Sequence, residues 1–145
     1  MIRAVLDTNI LVSALITKKP SAPFQIYKAF TAQKFLLITS PSILAEVEDV
    51  INREKIIELH KRTSQERQII IEQLLTLSYV TLEKIKIEKI IIERDPKDDK
   101  FIYAALEGHA EYIITGDDDL LSQKAYENIK ILSPNDFLEV LQSNS

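Results

Sequence analysis

The sequence contains no cysteine and only two glycines among its 145 residues. Without cysteine, neither a disulfide framework nor a zinc site with thiolate ligands can form, which fits a reducing compartment. Two glycines are too few for the G-x-G-x-x-G dinucleotide fingerprint, and no G-x-x-x-x-G-K phosphate loop is present. These absences exclude disulfide-rich secreted scaffolds and the two commonest glycine-rich nucleotide sites.

Long apolar runs are also absent. No stretch approaches the ~18–20 apolar residues that are needed to cross a bilayer. Near the N-terminus, Arg3 interrupts the apolar pattern and Asp7 ends it too early for a signal peptide. We therefore expect a cytoplasmic protein that does not contact a membrane.

Positive charge is in slight deficit, since the net charge is −4. An acidic balance argues against a general nucleic-acid binder, which is usually basic. Acids concentrated in one site would give the same total and leave a nearly neutral surface elsewhere. The length and the 46% hydrophobic content are typical of one soluble globular domain with a substantial core, so we expect a single domain over residues 1–145.

Strand and helix patterns alternate along the chain. The patterns predict strands at 2–6, 34–39, 79–82, 112–115 and 130–132, and helices at 8–16, 21–30, 41–51, 63–77, 98–107 and after 133. Residues 85–92 are ambiguous between strand and loop. Alternation of this kind predicts an α/β fold with a mostly parallel sheet that helices cover on both faces.

Two of these strands run directly into acids. Asp7 follows the strand at 2–6, and Asp117 and Asp119 follow the strand at 112–115. In an open α/β sheet, ligands bind in the crevice beyond the carboxyl ends of the strands. Carboxylate oxygens are the ligands that hard divalent cations prefer. The two junctions therefore indicate a carboxylate cluster that binds metal, although helix capping alone would also explain acids at these positions.

Two further candidates lie on helices. Glu46 borders the buried face of the helix that begins after Ser40, so it can reach inward past the helix edge. Asp99 stands in an acid-rich helix start, together with Asp95 and Asp98. The helix dipole favours acids there, yet three aspartates in five positions exceed what capping requires.

Other catalytic constellations are missing from the sequence. His60 and His109 are isolated and lack metal-ligand spacing, and no serine–histidine–acid set stands out. A phosphotransfer domain of the receiver type needs paired acids after the first strand, where only Asp7 is present. A phosphatase of the haloacid-dehalogenase type needs a second aspartate at the position of Asn9.

Taken together, these residues resemble the PIN-domain family of nucleases. The resemblance runs from Leu6-Asp7-Thr8-Asn9 to Thr115-Gly116-Asp117, which is nearly the whole chain. Asp7, Glu46, Asp99 and Asp117 match the family's acidic quartet in order. Three further positions match supporting parts of the site: the additional acid Asp119 and the polar residues Asn9 and Thr115. Asp95 and Asp98 make the third motif unusually acidic, so Asp98 is the alternative to Asp99.

The resemblance implies a three-layer α/β/α fold with about five strands and Mg²⁺- or Mn²⁺-dependent cleavage of single-stranded RNA. In this interpretation, Asp7, Glu46, Asp99 and Asp117 are catalytic and, with Asp119, ligate the metal. The segments 94–101 and 115–121 look especially like the branch of VapC-type toxins of toxin–antitoxin systems. That branch implies a small antitoxin partner that covers the acidic groove, and pairing of protomers into a homodimer.

Two alternatives stay open at this point. One is an RNA-binding or regulatory module on the same fold that does not turn over RNA. The other is a housekeeping nuclease that processes RNA without a toxin role. Metal-dependent RNA cleavage by purified protein separates the first alternative from an enzyme.

Overall fold

A computed structural model describes residues 1–16, 20–85 and 99–144. The elements in chain order are β1 (Arg3–Leu6), α1 (Thr8–Ile16), α2 (Ala22–Thr31), β2 (Leu36–Thr39), α3 (Pro41–Ile51), α4 (Glu54–His60), α5 (Ser64–Leu77), β3 (Tyr79–Val80), α6 (Asp99–Glu107), β4 (Tyr112–Ile114), α7 (Asp118–Leu121), β5 (Ala125–Tyr126), β6 (Ile129–Leu132) and α8 (Pro134–Ser143). Most of the ambiguous segment 85–92, together with Asp95 and Asp98, lies outside the described residues.

Within the described residues, six strands form one sheet in the order β3-β2-β1-β4-β6-β5. All neighbouring pairs are parallel except β5 and β6, which pair antiparallel at one edge. Every residue is buried over the stretches 4–6 and 37–39 of the interior strands β1 and β2. Because side chains alternate between the two faces of a strand, continuous burial requires cover on both faces. The predicted three-layer α/β/α fold with a mostly parallel sheet is confirmed.

Local capping signals explain where several helices begin. The side chains of Ser21, Ser40 and Ser133 each accept a hydrogen bond from a backbone amide three residues later, and a proline follows each serine within the first turn. At α5, Thr63 and Glu66 form the reciprocal capping box that the sequence predicts. These helices begin within one or two residues of their predicted positions because the start signals are local.

Three short elements were not predicted. α4 begins after Arg53, which makes no side-chain cap, and it ends at Lys61 in the left-handed conformation without glycine. α7 has only four residues and β5 only two. The turns around β5 place Lys124 and Glu127 at positive φ, where glycine is the usual signal.

The core lies against the middle of the sheet. Four phenylalanines of the core are each no more than 2% exposed: Phe30, Phe35, Phe101 and Phe137. Phe35 and Phe137 meet edge to face with their ring centroids 5.1 Å apart, which ties the start of β2 to α8. α6 packs directly on β1, β2 and β4. Among the described residues, no helix is both long enough and apolar enough to cross a membrane.

Candidate active site

The ends of β1 and β4 form the centre of the site. β1 pairs with β2 on one side and with β4 on the other, so the chain order reverses at this position. The backbone amide of Asp7 donates to the carbonyl of Ile114 at 2.9 Å, which holds the two strand ends side by side. A reversal of strand order opens a crevice beyond the strand ends, and this is where ligands bind in open α/β sheets.

Asp7 lies in that crevice and is only 4% exposed. One carboxylate oxygen, Oδ1, accepts from the backbone amide of Asn9 at 3.0 Å. The other, Oδ2, accepts from the hydroxyl of Thr115 at 2.7 Å. Asn9 itself is exposed, and its contribution here is the backbone amide, not the side-chain amide. The carboxylate is therefore fixed in orientation by groups from both strand ends.

A chain of hydrogen bonds continues from Thr115 into α7. The Thr115 hydroxyl accepts from the amide of Asp117 at 3.0 Å. The Asp117 carboxylate in turn accepts from the amide of Asp119 at 2.7 Å and caps α7. The four-residue helix that the sequence did not predict thus orients two of the predicted acids.

The surroundings of Asp7 disfavour the ionised form of its carboxyl group. Burial raises the pKa of Asp7 above its ordinary value, and the hydrogen bonds from Thr115 and Asn9 only partly counter this. The charges of Asp117 and Glu46 raise the pKa of Asp7 further. We refer to Asp7, Glu46 and Asp117 as the acid site, because the charges of the other two carboxylates act on Asp7.

Glu46 reaches the acid site from α3 and is half-buried. One of its oxygens is bonded to the ammonium of Lys100, which lies on α6. Partial burial raises the pKa of Glu46, but the hydrogen bond from Lys100, the nearby Thr8 hydroxyl and the charges of Lys100 and Arg53 together outweigh burial and leave the pKa below its ordinary value. Among the described residues, the buried Thr8 hydroxyl has no partner within the distance and angle limits of a hydrogen bond.

Asp99 is the first residue of α6 and is 3% exposed. Its neighbour on α6, Lys100, contacts Glu46 directly. The alternative acid Asp98 and the additional acid Asp95 lie outside the described residues.

The donor set suits a hard divalent cation by its chemistry. It consists of carboxylates, one of them buried with a raised pKa, and a cation would relieve the repulsion in the acid site. Across residues 1–16, 20–85 and 99–144, however, no three acids or histidines lie close enough together to hold a metal ion. Lys100 occupies one oxygen of Glu46 in this arrangement.

Thr8 lies near the Glu46 carboxylate, where the sequence indicates a small polar group that can orient an acid or a bound water. Lys100, which contacts Glu46, is given no role by the sequence. It only follows two aspartates at a helix start, and this pattern does not predict a contact with a distant glutamate. His60, by contrast, is structural: its Nε2 bonds the carbonyl of Ile51 at 3.0 Å and its Nδ1 accepts from the amide of Arg62 at 2.9 Å.

Comparison with known proteins agrees with this arrangement. The family profile described as the PIN domain matches residues 3–119 of the chain. The chain is also similar to a curated relative, "Uncharacterized protein MJ1680" from Methanocaldococcus jannaschii. The two are 33% identical over 146 residues, which covers 95% of this chain and 90% of the relative. The matched range contains β1, the candidate acids on α3 and α6, and the β4–α7 junction. The chain therefore belongs to the PIN-domain family, whose members are generally metal-dependent nucleases.

Proposed function

We propose that this protein is a Mg²⁺- or Mn²⁺-dependent endoribonuclease that cleaves single-stranded RNA in the cytoplasm. The observation that carries the proposal is the buried Asp7 carboxylate at the reversal of strand order, whose pKa is raised by burial and by the charges of two further carboxylates. A protein gains no stability from placing like charges together in a buried crevice. Perturbed titratable groups in such a crevice are typical of catalytic sites.

Each predicted site residue has a role in this proposal. Asp7, Glu46, Asp99 and Asp117 would hold the cation and, with Asp119, form its carboxylate surroundings. When bound, such a cation supplies positive charge for the phosphate and lowers the pKa of an attacking water. Asp95 and Asp98 would add negative charge near the third acid.

The polar residues around the acids hold the carboxylates in position. The Thr115 hydroxyl donates to the Asp7 carboxylate and accepts from the backbone amide of Asp117. A single hydroxyl at the end of β4 therefore links the two acids that follow β1 and β4. The backbone amide of Asn9 donates to Oδ1 of Asp7 and so fixes the other oxygen of this carboxylate. Lys100 offsets the charge of Glu46 when the cation is absent.

The test is cleavage of a labelled single-stranded RNA pool with Mn²⁺, Mg²⁺ or EDTA, comparing wild-type protein with Asp7→Asn. Asp136→Asn is the control, since Asp136 is likewise an aspartate between a strand and the body of a helix, but it is exposed in the first turn of α8. We expect cleavage that requires metal and Asp7 and that survives Asp136→Asn. Metal-independent cleavage, or equal cleavage by Asp7→Asn, would overturn the proposal, and binding without cleavage would favour the non-catalytic alternative.

Within this proposal, the biological role is that of the toxin of a type II toxin–antitoxin pair. The support is the resemblance of segments 94–101 and 115–121 to VapC-type toxins. Induced expression of the wild-type chain should then arrest growth, whereas Asp7→Asn should not. Undisturbed growth with an active nuclease would favour a housekeeping role in RNA processing. Native mass spectrometry of the purified protein tests for the expected homodimer and for a co-purified antitoxin.

A further inference from the structure

A second concave feature lies beside the acid site. It is a cavity of about 340 Å³ between the start of α3, the loop 81–85 and the outer face of α6. We call it the side cavity. The lining residues that matter below are Ser42, Thr81, Glu83, Lys100, Tyr103 and Glu107. A concave site of this size, with apolar walls and a few fixed polar groups, is typical of small-ligand binding.

Lys100 joins the side cavity to the acid site. Its ammonium is bonded to Glu46, and the same side chain lines the cavity. Its charged end also lies 5.1 Å from the centre of the Phe101 ring, which limits its freedom. A nucleic-acid strand whose phosphate lies at the acid site therefore has this cavity next to it, within the reach of one side chain.

One wall of the side cavity is held rigidly by α6. The Glu107 carboxylate accepts hydrogen bonds from the backbone amides of Leu82, Lys84 and Ile85 at 2.7, 2.6 and 2.9 Å. Within this loop, Glu83 has a φ of 55°, which is unfavourable for a residue with a side chain. The wall is therefore pre-organised, and its conformation directs Glu83 toward the start of α3.

Glu83 presents an ionised acceptor in the cavity. Its Oε1 accepts from the backbone amide of Ser42 at 2.6 Å. Hydrogen bonding from Ser42 is the main cause that lowers the pKa of Glu83, so the carboxylate stays charged at neutral pH. An ionised carboxylate can only accept hydrogen bonds, which means that its best partner is a group that donates.

We propose that the side cavity binds the nucleobase adjacent to the cleaved phosphodiester and selects bases with an exocyclic amino group over uracil. This inference rests on the nuclease function proposed above. Cytosine and adenine present amino donors where uracil presents a carbonyl oxygen, and glutamate accepting from a cytosine amino group is a known pairing. Tyr103 lines the same cavity, and aromatic side chains stack on bases in the recognition of single-stranded RNA.

The experiment maps cut sites in a random single-stranded RNA pool for wild-type protein, Glu83→Gln and the control Glu111→Gln. Glutamine at position 83 can still accept from Ser42, but it can also donate to uracil. Glu111 is matched because its carboxylate also accepts from a backbone amide, that of Arg3 at 3.3 Å. This contact lies at the amino ends of β1 and β4, away from the acid site. We expect wild-type protein to disfavour uracil at the position beside the cut by about tenfold. Glu83→Gln should lose most of this preference, and Glu111→Gln should keep it.

Two further measurements separate this inference from the nuclease function. Tyr103→Leu should weaken the base preference, while Tyr103→Phe should retain it. Fluorescence anisotropy with labelled oligo(A), oligo(C) and oligo(U) measures binding to the Asp7→Asn protein, with and without Glu83→Gln.

Cleavage with no preference against uracil, or with the same preference in Glu83→Gln, overturns the inference and leaves the nuclease standing. Binding that disfavours oligo(U) and depends on Glu83, without cleavage by the wild-type protein, supports the inference and overturns the nuclease. If the protein neither cleaves RNA nor binds it with a base preference, both the inference and the nuclease function are overturned.

Discussion

The ammonium of Lys100 and the carboxylate of Glu46 form an ion pair that joins α6 to α3 across 54 positions of the sequence. The pair stands at the edge of the acid site, with the two side chains 20% and 35% exposed. Its position means that one acid of the site is already neutralised by the protein itself. Any cation that uses Glu46 competes with this lysine.

The first prediction follows from that competition. Lys100→Met keeps the length of the stem and removes the charge, so repulsion within the acid site increases. We expect a lower melting temperature without metal and a larger increase in melting temperature when Mn²⁺ is added, as measured by differential scanning fluorimetry. Lys28→Met is the control, because it also removes a lysine charge that lies beside a phenylalanine ring, but on the exposed surface of α2. An unchanged response to Mn²⁺ in Lys100→Met would contradict the prediction.

The second prediction concerns the pH dependence of stability. The pKa of Asp7 is raised in the folded state, so the folded protein binds this proton more tightly than the unfolded chain does. Stability is then lost as pH rises from the unfolded pKa through the folded pKa, and the loss persists at neutral pH. Asp7→Asn removes this loss and should raise the metal-free melting temperature at pH 7.

Each kcal/mol that is regained corresponds to about 2–4 °C for a chain near this length. Thermal melts of both proteins at pH 7 and below pH 3.8, the ordinary pKa of an aspartate carboxyl, provide the check. The gain should disappear at the acidic pH, where Asp7 is protonated in both states. A destabilised Asp7→Asn protein at pH 7 would show that the carboxylate charge is favourable to the fold.

The third prediction concerns Thr115 as a positioning residue. Thr115→Val has nearly the same shape but removes the donor to Asp7 and the acceptor for the amide of Asp117. Loss of a group that orients a metal ligand typically reduces metal affinity or activity by about 10–100-fold. The cleavage rate as a function of Mn²⁺ concentration is the measurement. Thr31→Val is the control, since the hydroxyl of Thr31 bonds only the nearby carbonyl of Lys28 on α2. Equal rates for both variants would rule out this role.

The fourth prediction concerns packing behind the site. A Cβ on Gly108 would lie 2.3 Å from Cγ2 of Ile38 in the central strand β2, so Gly108→Ala overpacks the contact between the end of α6 and the sheet. Overpacking of this kind costs about 1–3 kcal/mol. Gly116→Ala is the matched control, because its Cβ would lie 4.0 Å from Ile10, at ordinary contact distance. Urea unfolding of both variants tests the difference, and equal midpoints would refute it.

Much of the fold could be predicted because its signals are local. The change from an apolar strand to a polar residue and then to helical spacing placed β1, Asp7 and α1 correctly. Ser40 followed by Pro41, and Thr63 followed by Glu66, marked two helix starts by capping chemistry. α4, by contrast, lacks both a capping side chain and a glycine stop, so its bounds depend on tertiary packing.

The candidate site was predictable to the extent that it follows from topology. Asp7 and Thr115 follow strands that become neighbours, and the carboxyl ends of parallel strands share one edge of the sheet. The pairing of Lys100 with Glu46 was not predictable, because it depends on how α6 packs against α3. The metal-binding role of the acids stays a prediction.

The attachment of the loop 81–85 to Glu107 has a consequence for how this protein can vary. The acids lie at the ends of β1 and β4 and on helices α3 and α6, whereas the loop contributes no acid to the acid site. The loop is tied to α6 through Glu107 and to the start of α3 through Glu83. Substitutions in that loop that keep these two attachments can reshape the neighbouring cavity without displacing a carboxylate of the crevice. Recognition and cleavage can therefore diverge separately among descendants of one ancestral chain.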